Sequence, residues 1–237
     1  MSSTTIKEAI ILAGGLGTRL RSSVPDLPKC MAPVGGRPFI GYITDYFRRA
    51  GIGSFVFALG YKSAAFEDFF REYFPSGGHA VSLEAEPLGT GGAIRQACTM
   101  AKEKTVLVLN GDTFFRIGLA ALSAFHADKG ADCTLCLKPM RDFDRFGVVE
   151  RDADQRVVRF REKQAYREGL INGGVYALDR EGFLREDLPA VFSFEKDYLE
   201  KMLDKRRIYG LVQDDFFIDM GIPEDYERVQ SAINQLL

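Results

Sequence analysis

The residues best suited to chemistry lie in short stretches far apart in the chain. Residues Ala13 to Pro33 read AGGLGTRLRSSVPDLPKCMAP. Gly14, Gly15 and Gly17 free the backbone to turn its N–H groups inward, which makes a cradle for phosphate. Arg19 and Lys29 add a guanidinium and an ammonium to the same stretch. Donors of these kinds aimed at one point suit a polyphosphate. Far downstream, Asp112 closes Asn110-Gly111-Asp112 and Asp219 precedes Met220-Gly221, each after an apolar run. Such a pair could share one Mg²⁺, an ion that takes one or two carboxylates together with phosphate oxygens and water. The plainer readings are a glycine turn with solvated basic residues and an aspartate favoured in turns.

Other motifs fit less well. No Walker string occurs, and Gly15-Leu16-Gly17-Thr18-Arg19-Leu20 has only two of the three glycines of a dinucleotide fingerprint. That fingerprint also expects an acidic residue roughly 20 residues on, at the end of a second strand. The second apolar run here ends in Leu59-Gly60-Tyr61. His79 and His126 have no partner pattern for zinc or a triad. Cys133 and Cys136 sit three apart in a strand-like run, so they face opposite sides and read as core cysteines.

The elements that must position these groups follow from hydrophobic periodicity. Strands are expected at residues 8–12, 54–59, 80–83 and 106–109. Between them come helices at 38–47 and 64–73, the second with Phe66, Phe69, Phe70 and Tyr73 on one face, and a third helix entered through Glu84 to Gly92 with Thr90 as its N-cap. Strand and helix alternating in this way predict a Rossmann-like, doubly wound α/β fold with a mixed, mainly parallel sheet flanked by helices. In such sheets ligands bind beyond the carboxyl ends of the strands, where the glycine loop, the Glu84 loop and Asp112 all fall. The second half predicts a helix over 118–126, strands over 133–139, 170–178, 208–212 and 216–218, a hairpin of 146–150 with 157–161, and helices over 195–203 and 223–236. One domain, 1–237, is expected, divided near residue 112.

The composition agrees with this reading. The chain has 237 residues, 46% hydrophobic and 12% aromatic, enough for a sizeable core. A net charge of −2 gives no basic field for nucleic acid. No apolar run suggests a membrane span, and MSSTTIKEA lacks a targeting core, so the cytoplasm is the expected compartment. Assembly into a homo-oligomer is left open.

Gly-Gly-x-Gly-Thr-Arg-Leu followed by Pro-Lys resembles the signature of the sugar-1-phosphate nucleotidyltransferases, and the resemblance runs through most of the chain. It implies a GT-A-like nucleotidyltransferase fold with a nucleotide-binding half, 1–112, and a sugar-phosphate-binding half, 113–237. It further implies that Leu12, Ala13, Gly14, Gly15, Gly17, Thr18, Arg19 and Lys29 grip a nucleoside triphosphate, that Arg19, Lys29 and Asp112 are catalytic, and that Asp112 and Asp219 bind Mg²⁺. Glu84, Pro87, Gly89 and Thr90 correspond to the base-reading loop. Glu84 stands where uracil- and thymine-specific members carry Gln. A carboxylate only accepts hydrogen bonds, and guanine offers N1–H and N2–H₂ together, so GTP is favoured. Phe160-Arg161-Glu162-Lys163 resembles the family's Phe-x-Glu-Lys, which gives Glu162 to sugar hydroxyls and Lys163 to the sugar phosphate. Gly147, Asn172, Gly173 and Glu195 match further sugar contacts, although a helix's first turn explains Glu195 nearly as well.

The implied partners are a nucleoside triphosphate and a sugar 1-phosphate, with no nucleic acid and no membrane. The strings Phe146–Glu150, Ile171–Tyr176, Phe192–Asp197 and Phe217–Gly221 look most like the branch acting on D-glycero-D-manno-heptose 1-phosphate. Mannose-1-phosphate guanylyltransferases and N-acetylmuramate 1-phosphate uridylyltransferases are the neighbouring readings. A non-catalytic nucleotide-sugar sensor is the reading from another class. Loss of Arg19, Lys29 or Asp112 would favour it, and all three are present.

Overall fold

A computed structural model describes residues 5–15, 27–60 and 62–236 of the chain. The parallel core is built from four apolar runs: β1 (Glu8–Leu12), β2 (Ser54–Leu59), β3 (His79–Leu83) and β4 (Thr105–Asn110). β2 lies between β1 and β3, and β4 lies on the other side of β1, all parallel. The chain therefore starts at β1, moves outward to β3, and returns to cross β1 before forming β4. The direction of winding reverses between β1 and β4, and a crevice opens there at the strand ends.

β1, β2 and β4 are apolar on nearly every residue because both faces are covered, whereas β3, at the sheet edge, leaves Val81 and Leu83 exposed. Ala9 and Ile11 of β1, Phe55 and Phe57 of β2, and Leu107 and Leu109 of β4 enter one buried cluster, while Ile10, Val56, Ala58, Val106 and Val108 enter a second. This is the period of two that a strand imposes. The first cluster is closed by helix α1 (Phe39–Ala50), through Phe39, Ile40, Ile43 and Phe47, and by Phe66 and Phe69. Phe69 belongs to α2 (Glu67–Tyr73), where the expected single helix over 64–73 begins instead with a 3-10 turn, Ser63–Phe66. Gly51 ends α1 at φ +112°, the left-handed C-terminal stop its sequence position suggests. The second cluster is closed by α3 (Gly89–Cys98), through Ala93, Ile94 and Ala97. Cys136 falls in the first cluster and Cys133 in the second, which separates them as strand geometry requires.

After β4 come a short strand β5 (Thr113–Phe115), helix α4 (Leu119–Asp128) and a long strand β6 (Cys133–Phe143). β7 (Val148–Arg151) and β8 (Val157–Arg161) form the expected hairpin. β9 (Tyr166–Asp179) runs antiparallel to β4, β6 and β7 and so joins the halves. Helix α5 (Arg180–Leu184), a π-helical stretch Phe194–Glu200, and β10 (Ile208–Val212), parallel to β6, follow. Among the described residues nine strands make one mixed sheet, parallel through β4, β1, β2 and β3. Outside it, β11 (Phe217–Asp219) pairs only with β5 in a two-stranded ribbon, and α6 (Pro223–Ser231) follows with proline at its start. The expected helix over 223–236 stops at Ser231, and a single further turn covers Ile233–Leu236.

Candidate active site

A cleft of about 760 Å³ opens at the β1–β4 reversal. Its floor is set by the two strand ends. Gly111 N donates to Leu12 O at 2.9 Å, and a Cβ on Gly111 would lie 2.6 Å from that same oxygen. The glycine of Asn110-Gly111-Asp112 thus allows the end of β4 to close against the end of β1, which carries Asp112 to the cleft.

Asp219 arrives by a device the sequence did not announce. The ribbon pairs Asp219 with Thr113 and Phe217 with Phe115, and Met220 N donates to Asp112 O at 2.9 Å. Two aspartates 107 positions apart are thereby brought together, Asp112 in the turn before β5 and Asp219 at the end of β11. Between them stands Lys29, at the start of a 3-10 turn (Lys29–Met31) anchored by the buried Cys30 and Met31. Its Nζ donates to Asp112 Oδ2 at 2.6 Å and lies 3.9 Å from Asp219 Oδ1. Arg145, from the β6–β7 connection, lies 3.9 Å from Asp219 Oδ2 and is held by the buried Asp225 in the first turn of α6. Burial raises the Asp219 carboxyl to about pH 6, and the negative charge of Asp112 adds to that rise against the pull of Lys29 and Arg145.

The other wall comes from the second half. Residues in β9 shift register against β6 between Asn172 and Tyr176, and Gly174 takes φ +69° beside Asn110. The bulge turns Asn172 toward Glu195. Asn172 Nδ2 donates to Glu195 Oε1 at 3.0 Å and to the hydroxyl of Tyr176 at 2.7 Å, and Tyr176 OH reaches the same Glu195 oxygen at 3.3 Å. Lys163, just past the end of β8, also lines the cleft.

Of the residues singled out from sequence, Leu12, Ala13, Gly15, Lys29, Thr90, Asp112, Lys163, Asn172, Gly173, Glu195 and Asp219 line this one cleft. Gly17, Thr18 and Arg19 lie outside the described residues. Gly14 packs at the β2 end, with a Cβ there only 2.9 Å from Gly60 N and 3.1 Å from Glu84 Oε1. Glu84 Oε2 accepts from Leu88 N at 2.9 Å, so part of this carboxylate closes its own loop. Pro87 lies in that loop and Gly89 opens α3, and neither lines the cleft. Gly147 lies against the end of β8, where a Cβ would meet Arg161 O at 2.4 Å, beside the exposed Glu162. Thr90 is not an N-cap. Helix α3 starts at Gly89 after Leu88, and the Thr90 hydroxyl accepts from Phe194 N at 2.9 Å instead.

Arg145, Phe146, Tyr176 and Phe217 were missed. Phe146, Tyr176 and Phe217 are end residues of the strings that carry the resemblance, and Arg145 lies just before the first of them. Only the ribbon brings Phe217 to the site and only the bulge brings Tyr176, while Arg145 and Phe146 arrive on the β6–β7 connection.

The Nucleotidyl transferase family model matches residues 8–235. The chain belongs to the nucleotidyl transferase family. It is 45% identical over 231 residues to the D-glycero-alpha-D-manno-heptose 1-phosphate guanylyltransferase of Aneurinibacillus thermoaerophilus, covering 97% of this chain and 100% of that one. It is 43% identical to the protein of the same name from Campylobacter jejuni, covering 92% and 96%. The crystal structure of HddC from Yersinia pseudotuberculosis complexed with GMP-PN superposes with a TM-score of 0.85 at 32% identity, over 96% of this chain and 100% of that one. The Rossmann-like nucleotidyltransferase fold and the family expected from the glycine loop are thus borne out.

Proposed function

We propose that this enzyme of the nucleotidyl transferase family is a D-glycero-α-D-manno-heptose 1-phosphate guanylyltransferase, making GDP-heptose and pyrophosphate from GTP and the sugar phosphate. The observation that carries the reaction class is the convergence of Lys29, Asp112 and Asp219 at the β1–β4 reversal, with Lys163 and Glu195 in the same cleft. The choice of sugar and base is supported by the names of the two relatives quoted above.

An oxygen of the sugar 1-phosphate attacks the α-phosphorus of GTP. The bond from that phosphorus to the bridging oxygen breaks, and pyrophosphate leaves with the electron pair. The nucleophile is already anionic, so no general base is required. The protein's task is to bring anions together and neutralise them. Lys29 faces the phosphates near the reacting centre, Lys163 takes the incoming sugar phosphate, and Arg19 belongs with the triphosphate. Asn172 spends its two N–H groups on Glu195 and the Tyr176 hydroxyl, and Glu195, also held by that hydroxyl, presents its carboxylate as an acceptor to sugar hydroxyls.

The residues fit Mg²⁺. Asp112 and Asp219 supply hard oxygen donors, and burying Asp219 beside a second carboxylate makes a divalent cation a favourable neighbour. Among the described residues no group of three or more His, Cys, Asp or Glu is placed to hold a metal. Two carboxylates completed by phosphate oxygens and water is the habit of Mg²⁺ rather than of an all-protein cage. When bound, Mg²⁺ would neutralise the triphosphate and its leaving group.

On this reading residues 1–112 form the nucleotide half and 113–237 the sugar-phosphate half. Among the described residues no helix is long and apolar enough to cross a membrane. The cytoplasm, where GTP is at hand, is the compartment the reaction implies, and its product would feed assembly of a cell-surface polysaccharide. The test is pyrophosphate release across four nucleoside triphosphates and a panel of sugar 1-phosphates. Turnover highest with GTP and the heptose 1-phosphate is expected. Preference for UTP or dTTP, or for a hexose, would overturn the assignment.

A further inference from the structure

The turn Gly89-Thr90-Gly91-Gly92 belongs by sequence to the base-reading loop, yet its contacts run to the other half of the molecule. Gly91 N donates to Phe192 O at 2.9 Å, and Phe192 N donates to Leu88 O at 3.1 Å. A Cβ on Gly91 would lie 2.2 Å from the Phe192 ring, one on Gly92 2.5 Å from Ala190 O, and one on Gly89 2.6 Å from Phe192 O. The three glycines are therefore required by the close approach of residues 190–192. One turn further along α3, Arg95 donates to Leu188 O and Pro189 O, both at 2.8 Å, with its guanidinium 5.2 Å from the centre of the Phe192 ring.

The last contact of this seam is the hydrogen bond from Phe194 N to Thr90 Oγ1. Phe194 opens the helical stretch whose second residue is Glu195. Its amide is one of the unpaired N–H groups at a helix start, and it needs a partner from elsewhere. Ser193 caps this same stretch, accepting from Lys196 N at 3.2 Å, and Asp197 Oδ2 accepts from Ser193 N at 2.8 Å, which leaves the Phe194 amide to Thr90. The Thr90 hydroxyl thus fixes the amide next to the residue whose carboxylate meets Asn172 and Tyr176 in the cleft.

We infer that Thr90 is a positioning residue for the sugar-phosphate side: through the Phe194 amide it sets Glu195, and it ties the loop carrying the nucleotide base to the helix presenting that carboxylate. Loss of the bond loosens the sugar site and leaves the triphosphate grip intact. The inference rests on the guanylyl transfer proposed above.

The variants are Thr90→Val, which keeps the shape and removes the acceptor, and Thr90→Ser, which restores it. Thr90→Val is expected to raise KM for the sugar 1-phosphate roughly tenfold, several-fold more than it raises KM for GTP, and to be rescued by Thr90→Ser. In parallel, amide hydrogen exchange of the peptide spanning residues 193–200, measured without ligand, is expected to quicken roughly tenfold in Thr90→Val alone. A rise in KM for GTP as large as that for the sugar phosphate, failure of Thr90→Ser to rescue, or unchanged exchange over 193–200 would overturn the inference. If the wild-type protein turned over no triphosphate with any sugar phosphate, the proposed reaction would fall, while the exchange comparison would still decide the role of Thr90.

Discussion

Replacing Asp219 with Asn should abolish turnover and at the same time stabilise the metal-free protein. Asn stands in for the protonated carboxyl. In the fold, Asp219 is raised from 3.8 to about 6, chiefly by burial and then by Asp112, with Asp225 adding to the rise and Lys29 and Arg145 opposing it. Its side chain is 21% exposed, so solvent screens it only in part. At pH 7 the carboxyl is ionised in both folded and unfolded chains, and the ionised form is the one the fold disfavours. A shift of about 2 pKa units at about 1.4 kcal/mol each puts that cost at roughly 2 to 3 kcal/mol. The sign follows from proton counts. Between pH 6 and 4 the folded chain holds more protons than the unfolded one, so this group's contribution to stability falls as pH rises through that window. The gain from Asp219→Asn should accordingly be full above pH 6 and nearly absent below pH 4. Denaturant melts of both proteins in EDTA at pH 7 and pH 4 measure it. Activity with GTP and Mg²⁺ should drop at least about a hundredfold. An Asp219→Asn protein that is less stable than wild type in EDTA at pH 7, or equally more stable at both pH values, would refute the reasoning.

Two other predictions concern Lys29 and a group far from the cleft. Lys29→Met removes the cation that lies 2.6 Å from Asp112 and 3.9 Å from Asp219. Turnover should fall roughly 100- to 1000-fold, and a folded variant with an unchanged rate would take Lys29 out of the mechanism. His126 is buried, its Nδ1 2.9 Å from Thr134 Oγ1, and burial lowers it to about 4. The unfolded chain binds the proton first as pH falls, so stability is full above about pH 6.5 and is lost toward pH 4. By linkage this amounts to up to roughly 3 kcal/mol. Comparing wild type with His126→Gln across that range isolates the effect, since the other titrating groups are common to both, and parallel pH profiles would sink it.

Most of what the local pattern can encode was legible. Apolar runs marked β1, β2 and β4, because a strand buried on both faces must be apolar throughout, β3 followed as a shorter run at the sheet edge, and the connecting helices showed one apolar face. The glycine loop, Lys29, Asp112, the Phe-x-Glu-Lys string and Asp219 were visible as residue types with a chemistry. Thr90 was misread because a hydroxyl before an apolar stretch looks like an N-cap, and nothing local reveals that a distant amide takes it.

What only the tertiary structure decided is where these pieces meet. The sequence by itself determined where the parallel strands end, the charges and the family to which the chain belongs, since these reside in spacing and side-chain type, while the long antiparallel strands run past the expected 133–139 and 170–178 to Cys133–Phe143 and Tyr166–Asp179. The meeting of Asp112 with Asp219 depends on a three-residue ribbon, β5 with β11, too short to have a periodic signal of its own. The turning of Asn172 toward Glu195 depends on a register shift that exists only between two strands. Pairing across long stretches of chain is a property of contacts, and contacts are settled by burial and hydrogen-bond satisfaction in the whole fold rather than by any one segment.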